Sequence, residues 1–171
     1  MRTRLLDAQD WSTWRDIRLR ALAESPSAFG STYHRELAFT EDIWRSRLED
    51  PDQVAVLAID GSAPAGLPVG MAAGYPDEPG LLHVVAMWVD PKARGQRVAH
   101  LLLTALDEWA ATHHRGLHLD VNITNRAARR SYERFGFVGT GETRPLREGS
   151  PESVERMVLP ARRLTGTPGS R

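Results

Sequence analysis

Residues 81–89, LLHVVAMWV, are apolar at every position except His83 and rich in valine, which reads as a strand buried on both faces. From Val98 the pattern changes: Leu101, Leu102, Ala105, Leu106 and Trp109 recur at spacings of three and four, the period of a helix with one side on a core. Between the two, Pro91 ends the strand because it lacks an N–H, and Gly95 lets the backbone turn tightly. A strand that feeds a basic turn into a helix N-terminus is suited to bind an anion. The unpaired N–H groups of the first turn and the helix dipole point at the ligand, and Arg94 and Arg97 add whole charges.

The same reading extends to the rest of the chain. Residues 3–6 predict a first strand, and Asp7 or Asp10 can cap a helix over 11–24 with Trp14, Ile17, Ala21 and Leu22 on its inner side. Pro26 breaks that helix, and a second helical region follows as far as about residue 50, with a start signal at Thr40. Residues 53–60 and 69–75 predict strands joined by the Asp60-Gly61 turn signal and a loop over 62–68. The helix after Arg97 closes on His113, His114, Arg115 and Gly116. Leu117, Leu119 and Val121 then alternate as a strand with His118 and Asp120 on its other face. A helix separates this strand from residues 81–89, so the pair is expected to be parallel, joined by a right-handed crossover. Asn125 opens a last helix with Ala128, Tyr132 and Phe135 on one side, Gly136 stops it, and residues 137–146 and 153–159 predict a closing hairpin.

Composition narrows the picture. With 171 residues and 41 % hydrophobic content, the chain suits one domain over residues 1–161, with 162–171 as a tail that cannot pack. Basic and acidic residues balance at 22 each, which argues against wholesale binding to nucleic acid or to an anionic membrane. Arg126, Arg129, Arg130 and Arg134 crowd the last helix, but without interleaved exposed aromatics they read as a solvated face. The absence of cysteine removes disulfides, thiolate metal sites and a cysteine acyl-enzyme. Neither an apolar leader nor a run of about 18 apolar residues is present, which predicts a soluble cytoplasmic protein. His113, His114 and His118 could suggest a metal. Adjacent histidines point about 100° apart on a helix and no carboxylate accompanies them at ligand spacing, so they read as solvated and no metal is expected.

Two segments carry a resemblance. Arg94-Gly-Gln-Arg-Val-Ala99 is similar to the Arg/Gln-x-x-Gly-x-Gly/Ala motif with which the GNAT superfamily of acetyl-CoA-dependent N-acetyltransferases holds the cofactor pyrophosphate, with Arg97 at the usual glycine. Downstream, Asn125-Arg-Ala-Ala-Arg-Arg-Ser-Tyr-Glu-Arg-Phe-Gly-Phe137 resembles that family's next motif. The resemblance implies an α/β fold, a mixed and largely antiparallel sheet with helices on both faces and a splayed parallel central strand pair. It also implies acetyl-CoA as cosubstrate. The backbone of Met87, Trp88 and Val89 would hold the pantetheine arm and thioester, and Arg94, Gly95, Gln96, Arg97, Val98 and Ala99 the pyrophosphate. Asn125 would contact the cofactor arm or order the local backbone, and Tyr132 would give its proton to the thiolate of CoA.

The acceptor is expected to be a small-molecule amine or a peptide amino group, and a homodimer stays open. The family places the segment near residues 28–50 along the acceptor site, which makes Phe29, Tyr33, Glu36 and Trp44 candidate contacts, against a reading in which the aromatics are core and Glu36 is solvated. Glu142 and Glu155 lie in the closing hairpin and can reach the same site or remain surface carboxylates. Where some family members carry a catalytic glutamate, this chain has His83, a residue type whose ordinary pKa near 6.5 suits it to take a proton from an alkylammonium. On a regular strand His83 shares a face with Met87, and Val84 and Ala86 take the other, unless a β-bulge shifts the register. Glu36, Glu142 or water are the alternative bases. A non-catalytic module that binds or senses acyl-CoA on the same fold is the alternative function.

Overall fold

The computed structural model describes residues 1–61 and 66–160. The expected tail over 162–171 and part of the loop over 62–68 fall outside the described residues. Among the described residues, seven strands form one sheet in the order β1-β2-β3-β4-β5-β7-β6. They are β1 (Arg2–Leu5), β2 (Val54–Asp60), β3 (Leu67–Glu78), β4 (Leu81–Val89), β5 (Gly116–Asn122), β6 (Val138–Pro145) and β7 (Ser153–Val158). Every neighbouring pair is antiparallel except β4 and β5, which are parallel as the intervening helix requires. The helices are α1 (Trp11–Glu24), α2 (Tyr33–Leu37), α3 (Glu41–Glu49), α4 (Val98–Thr112) and α5 (Arg126–Phe135). None of them is long and apolar enough to cross a membrane.

Two apolar clusters sandwich the sheet. Trp14, Ile17 and Leu22 of α1 and Trp44 of α3 pack on one face with Leu57, Met71 and Trp88. Leu102, Leu103 and Leu106 of α4 pack on the other with Val56, Leu82, Leu119 and Tyr132. Each of these buried leucines contributes roughly 1.5–3 kcal/mol through removal from water. Because both faces are covered, β2 is buried along nearly its whole length, which explains its weak hydrophobic alternation. Gly70 of β3 sets the approach of α4: a Cβ there would sit 2.8 Å from Val98 Cγ1 and 3.1 Å from Leu102 Cδ1. The start of α4 is thereby pressed against the middle of the sheet.

One irregularity organises the centre. Between Met71 and Ala73 of β3 the partner changes from Trp88 to Val85, so two residues of β4, Ala86 and Met87, face one residue of β3. Ala86 adopts a left-handed φ of 55°, the signature of a bulge that adds twist. As a result Met87 packs with Leu82 and Val84 on the α4 face, while Ala86 and Trp88 pack on the α1 face. The regular-strand expectation is corrected here. His83 lies on the face of Ala86, opposite Met87, because the extra residue inverts the count.

Candidate active site

Beyond the bulge the parallel pair comes apart. β4 and β5 are in register only from Leu81↔Gly116 to Val84↔Leu119. β4 then continues along β3 to Val89↔Gly70, and β5 continues along β7 to Asn122↔Val154. The β5-facing edge of residues 85–89 is thereby freed, including that of Met87, Trp88 and Val89. Such an edge offers unpaired main-chain donors and acceptors to an extended ligand.

At the C-terminal end of β4 the chain turns through a 3-10 turn, Pro91–Ala93, into α4. Asp90 organises the turn, accepting from the Lys92 N–H at 2.9 Å and from Arg20 at 3.1 Å. Gly95 has φ +80° with open space around its missing Cβ. Arg97 is the N-cap of α4 at φ 63°, the left-handed region that glycine enters most easily, which accounts for the related motif having glycine there. No side chain caps this helix, and its first intrahelical bond runs from the Leu101 N–H to the Arg97 carbonyl at 3.1 Å. The N–H groups ahead of it, Val98, Ala99 and His100, open toward the loop, a ready site for phosphate oxygens.

The Arg94 side chain also has partners within the chain. Its Nη2 donates to Glu24 at 2.8 Å and its Nε to the Val89 carbonyl at 3.1 Å, so its side chain ties the loop to the end of α1. Glu24 also accepts from Ser25 and, at 3.0 Å, from Trp88 Nε1. The Ser25 bond first, then those from Trp88 and Arg94, hold the Glu24 carboxyl below its ordinary range despite its partial desolvation. Asn125 accepts from the Ala128 N–H at 3.0 Å as the N-cap of α5, which is the backbone-ordering half of its expected role. Tyr132, about two turns further along, joins the apolar cluster that contains Val98 and receives Met87. Burial pushes its phenol up to about 12, so it stays protonated across the ordinary pH range.

The α1 face of the splay holds a second constellation. His83 is buried, its Nδ1 3.1 Å from the Tyr75 hydroxyl and 3.3 Å from Asp77 Oδ2, its Nε2 3.3 Å from Asp120 Oδ2. His118 stacks on it with ring centroids 4.5 Å apart and donates from Nε2 to Asp77 Oδ1 at 2.7 Å. The expected solvation of His118 is therefore corrected: it is 2 % exposed, because it stands on β5 inside the sheet rather than at the helix end with His113 and His114. Burial alone would raise the Asp120 carboxyl, but hydrogen bonds from His83 and Arg144, with their charge, outweigh it and hold Asp120 at about 2. Asp77, His83 and His118 each bring a donor atom within 4.8 Å of the others. Their imidazole planes, however, lie only 18° apart in a stack, so the in-plane lone pairs run side by side instead of converging on one point. Within the group these atoms pair with one another as a hydrogen-bonded network.

This network lines an open cavity of about 360 Å³ together with Glu142, Arg144 and Arg156. Glu142 thus faces this cavity, while Glu155 is taken up by Arg129 and by the Gly141 N–H at 3.3 Å. The wall formed by the α1–α2 connection is tied across the cavity side: Asn122 donates to the Ser27 carbonyl at 3.2 Å, and Arg147 to the Phe29 carbonyl at 3.3 Å. Phe29 and Trp44 are core residues and Tyr33 packs against the same cluster. Glu36 fits neither expectation. It is 1 % exposed and forms a two-pronged pair with Arg18, at 3.0 and 2.8 Å, because α2 turns it into the core where Arg18 of α1 waits. Burial raises its carboxyl, and the hydrogen bonds and charge of Arg18, with Ser31 and Arg47, more than offset that and leave it below its ordinary value. Sequence reasoning passed over Tyr75, Asp77, Asp120 and Glu24. For Asp120 a signal existed: a carboxylate alternating with apolar residues in a strand covered on both faces needs a partner.

Comparison with known proteins agrees with this architecture. The family model described as "Acetyltransferase (GNAT) family" matches residues 13–137. No curated protein sequence matches. Among solved structures, a GNAT-family acetyltransferase from Streptococcus pneumoniae superposes with a TM-score of 0.73 at 21 % identity, covering 91 % of this chain and 96 % of that one. An aminoglycoside 6'-N-acetyltransferase complexed with coenzyme A gives 0.69 at 14 % identity, over 95 % and 99 % of the two chains. A chimera of the Vibrio cholerae spermidine N-acetyltransferase gives 0.66 at 19 % identity, over 93 % and 95 %. At these identities the superpositions speak for the fold, and the family model, spanning most of the chain, speaks for descent. The splayed parallel pair, the uncapped helix after it and the two motifs in order therefore belong together: this chain is a member of the GNAT acetyltransferase family.

Proposed function

We propose that this protein is an acetyl-CoA-dependent N-acetyltransferase that moves the acetyl group directly to a primary amine of a small molecule or peptide, with one domain over residues 1–161 carrying both binding sites. The observation that supports the reading is the splay between β4 and β5, which opens at the bulge with the uncapped start of α4 at one end and a buried histidine on the α1 face. The residues present fit the cofactor: the uncapped N–H groups at Val98, Ala99 and His100, the left-handed Arg97 and the open space at Gly95 form a cradle for a diphosphate. When bound, acetyl-CoA supplies an activated thioester carbonyl.

The chain's own groups then divide the work. The backbone of Arg94, Gly95, Gln96, Arg97, Val98 and Ala99 would hold the pyrophosphate, with the charge of Arg97 beside it. The freed edge of Met87, Trp88 and Val89 orients the arm and the carbonyl. Asn125 holds α5 in place, so that Tyr132, kept protonated by burial, can give its proton to the departing sulfur. His83 takes the proton that an ammonium must lose before its nitrogen can attack. Four carboxylates, Asp77, Glu78, Asp120 and Glu142, face two guanidiniums, Arg144 and Arg156, around the cavity, a balance that favours a cationic acceptor. That other members of the fold are named for spermidine and aminoglycoside acetylation supports an amine acceptor of this kind.

Two measurements test the reading. Acetyl-CoA at ~100 times its Kd should stabilise the fold by about 2.7 kcal/mol, a melting shift of roughly 5–10 °C for a chain of this size. No shift at millimolar acetyl-CoA would defeat it. The pH profile of turnover should have an acidic limb, since the base works only when unprotonated, and His83→Ala should abolish that limb and lower the rate on the order of 10²-fold. An alanine variant with the same limb and the same rate assigns proton removal elsewhere.

A further inference from the structure

We propose that Asp120 is a positioning residue that fixes His83 in the Nε2–H tautomer, so that Nδ1 is the atom that takes the proton and Asp77 is the carboxylate that receives the resulting N–H. This rests on the reading of His83 as the base and adds which atom acts and what holds it. A neutral imidazole has one N–H and one lone pair, and a carboxylate can only accept. Both ring nitrogens of His83 have a carboxylate at 3.3 Å, Asp120 at Nε2 and Asp77 at Nδ1. Only the Nδ1 side also offers a donor, the Tyr75 hydroxyl at 3.1 Å. Burial first, and then the charge of Asp77, raise that phenol above its ordinary value, so it keeps its proton. With the N–H on Nε2, His83 donates to Asp120 and accepts from Tyr75. Either tautomer leaves one ring lone pair beside a carboxylate; at Nδ1 the Tyr75 O–H supplies a proton to that lone pair, and at Nε2 no such donor stands beside Asp120.

The neighbours are set for the same arrangement. His118 spends its Nε2–H on Asp77 Oδ1 at 2.7 Å, and its buried Nδ1 has no partner, which suits a lone pair and not an N–H. Asp77 Oδ2 is left facing His83 Nδ1. Arg144 donates to Asp120 Oδ2 as well, which helps keep that carboxylate ionised and in place. In the step itself an N–H bond of the alkylammonium breaks, its electron pair stays on the amine nitrogen, the Tyr75 hydroxyl turns its hydrogen away from Nδ1, and the freed Nδ1 lone pair bonds the proton, directly or through water. The imidazolium then donates to Asp120 and Asp77 at once. Asp77, with a side chain 27 % exposed against 8 % for His83, gives the proton its way to solvent. The charged and titratable groups around His83 are Tyr75, Asp77 and Glu78 from β3, His118 and Asp120 from β5, Glu142 and Arg144 from β6, and Arg156 from β7.

The test is two-bond proton–nitrogen NMR of the full chain with ¹⁵N-labelled histidine, without cofactor, at a pH where His83 is neutral. The wild type should show the unprotonated-nitrogen signature at Nδ1 of His83, a readout that needs no variant and no turnover. Asp120→Asn should mix the tautomers and lower kcat about tenfold with KM nearly unchanged. Asp120→Glu should recover part of the rate. An Nδ1–H signature in the wild type, or an Asp120→Asn enzyme with the wild-type kcat, overturns the assignment. Failure of the base reading is distinguishable: His83→Ala would then keep its limb and rate, whatever tautomer the NMR reports.

Discussion

Arg18→Ala should cost about 3–5 kcal/mol of stability, the usual consequence of removing one partner of a buried ion pair. Arg18 and Glu36 are both buried, and the carboxylate is held at two points, 3.0 and 2.8 Å, with Arg47 at 3.6 Å as a weaker third contact. Without Arg18 the Glu36 carboxylate stays buried, supported mainly by a guanidinium that is itself half-exposed, and Phe29 loses the cation 4.6 Å above its ring. A chain of 171 residues should then melt roughly 10 °C lower. The double variant Arg18→Met with Glu36→Leu removes both charges and should recover most of the loss, since an apolar pair of similar volume can replace a buried ion pair. Thermal unfolding of the three proteins decides it, and a single variant melting within about 1 °C of wild type would show the pair to be dispensable.

Tyr132→Phe should keep the ring in its cluster, leave the melting temperature and acetyl-CoA affinity nearly unchanged, and lower turnover on the order of 10²-fold. The ring packs edge-on to Phe137 at 6.0 Å between centroids, and phenylalanine preserves that contact. What the substitution removes is the proton that burial keeps on the oxygen. Steady-state kinetics with a cooperative acceptor measures it. Equal turnover in the two proteins would make Tyr132 a packing residue, and the proton for the sulfur would then come from water.

The strand, turn and helix over residues 81–112 were legible in the sequence because each depends on local pattern: an apolar run, Pro91, Gly95 and a three-four repeat. The parallel pairing of β4 with β5 followed from the helix between them. The bulge at Ala86 left no such trace. Alanine carries no preference for a left-handed φ, so the strand count ran on and set His83 on the wrong face. The network around His83 was hidden for a different reason. Tyr75, Asp77, His118 and Asp120 come from two strands on either side of β4, and only the sheet order brings them together. Glu36 was misjudged because an isolated glutamate in a short polar helix looks solvated, and its partner lies 18 residues back on another helix. The tie from Arg94 to Glu24 was hidden in the same way, since the two lie 70 residues apart and only the packing of α1 beside the loop joins them.

The central claim is acetyl transfer to an amine on the acceptor face of the splay, and the most direct test is release of free CoA when the protein meets acetyl-CoA and a panel of primary amines: diamines and polyamines, aminoglycosides, and peptides with free amino groups. The account predicts acceptor-dependent release, strongest for an acceptor bearing more than one positive charge and lost on the order of 10²-fold in His83→Ala. Saturable acetyl-CoA binding with no release above the buffer rate for any amine would contradict it and leave a module that binds acyl-CoA without consuming it.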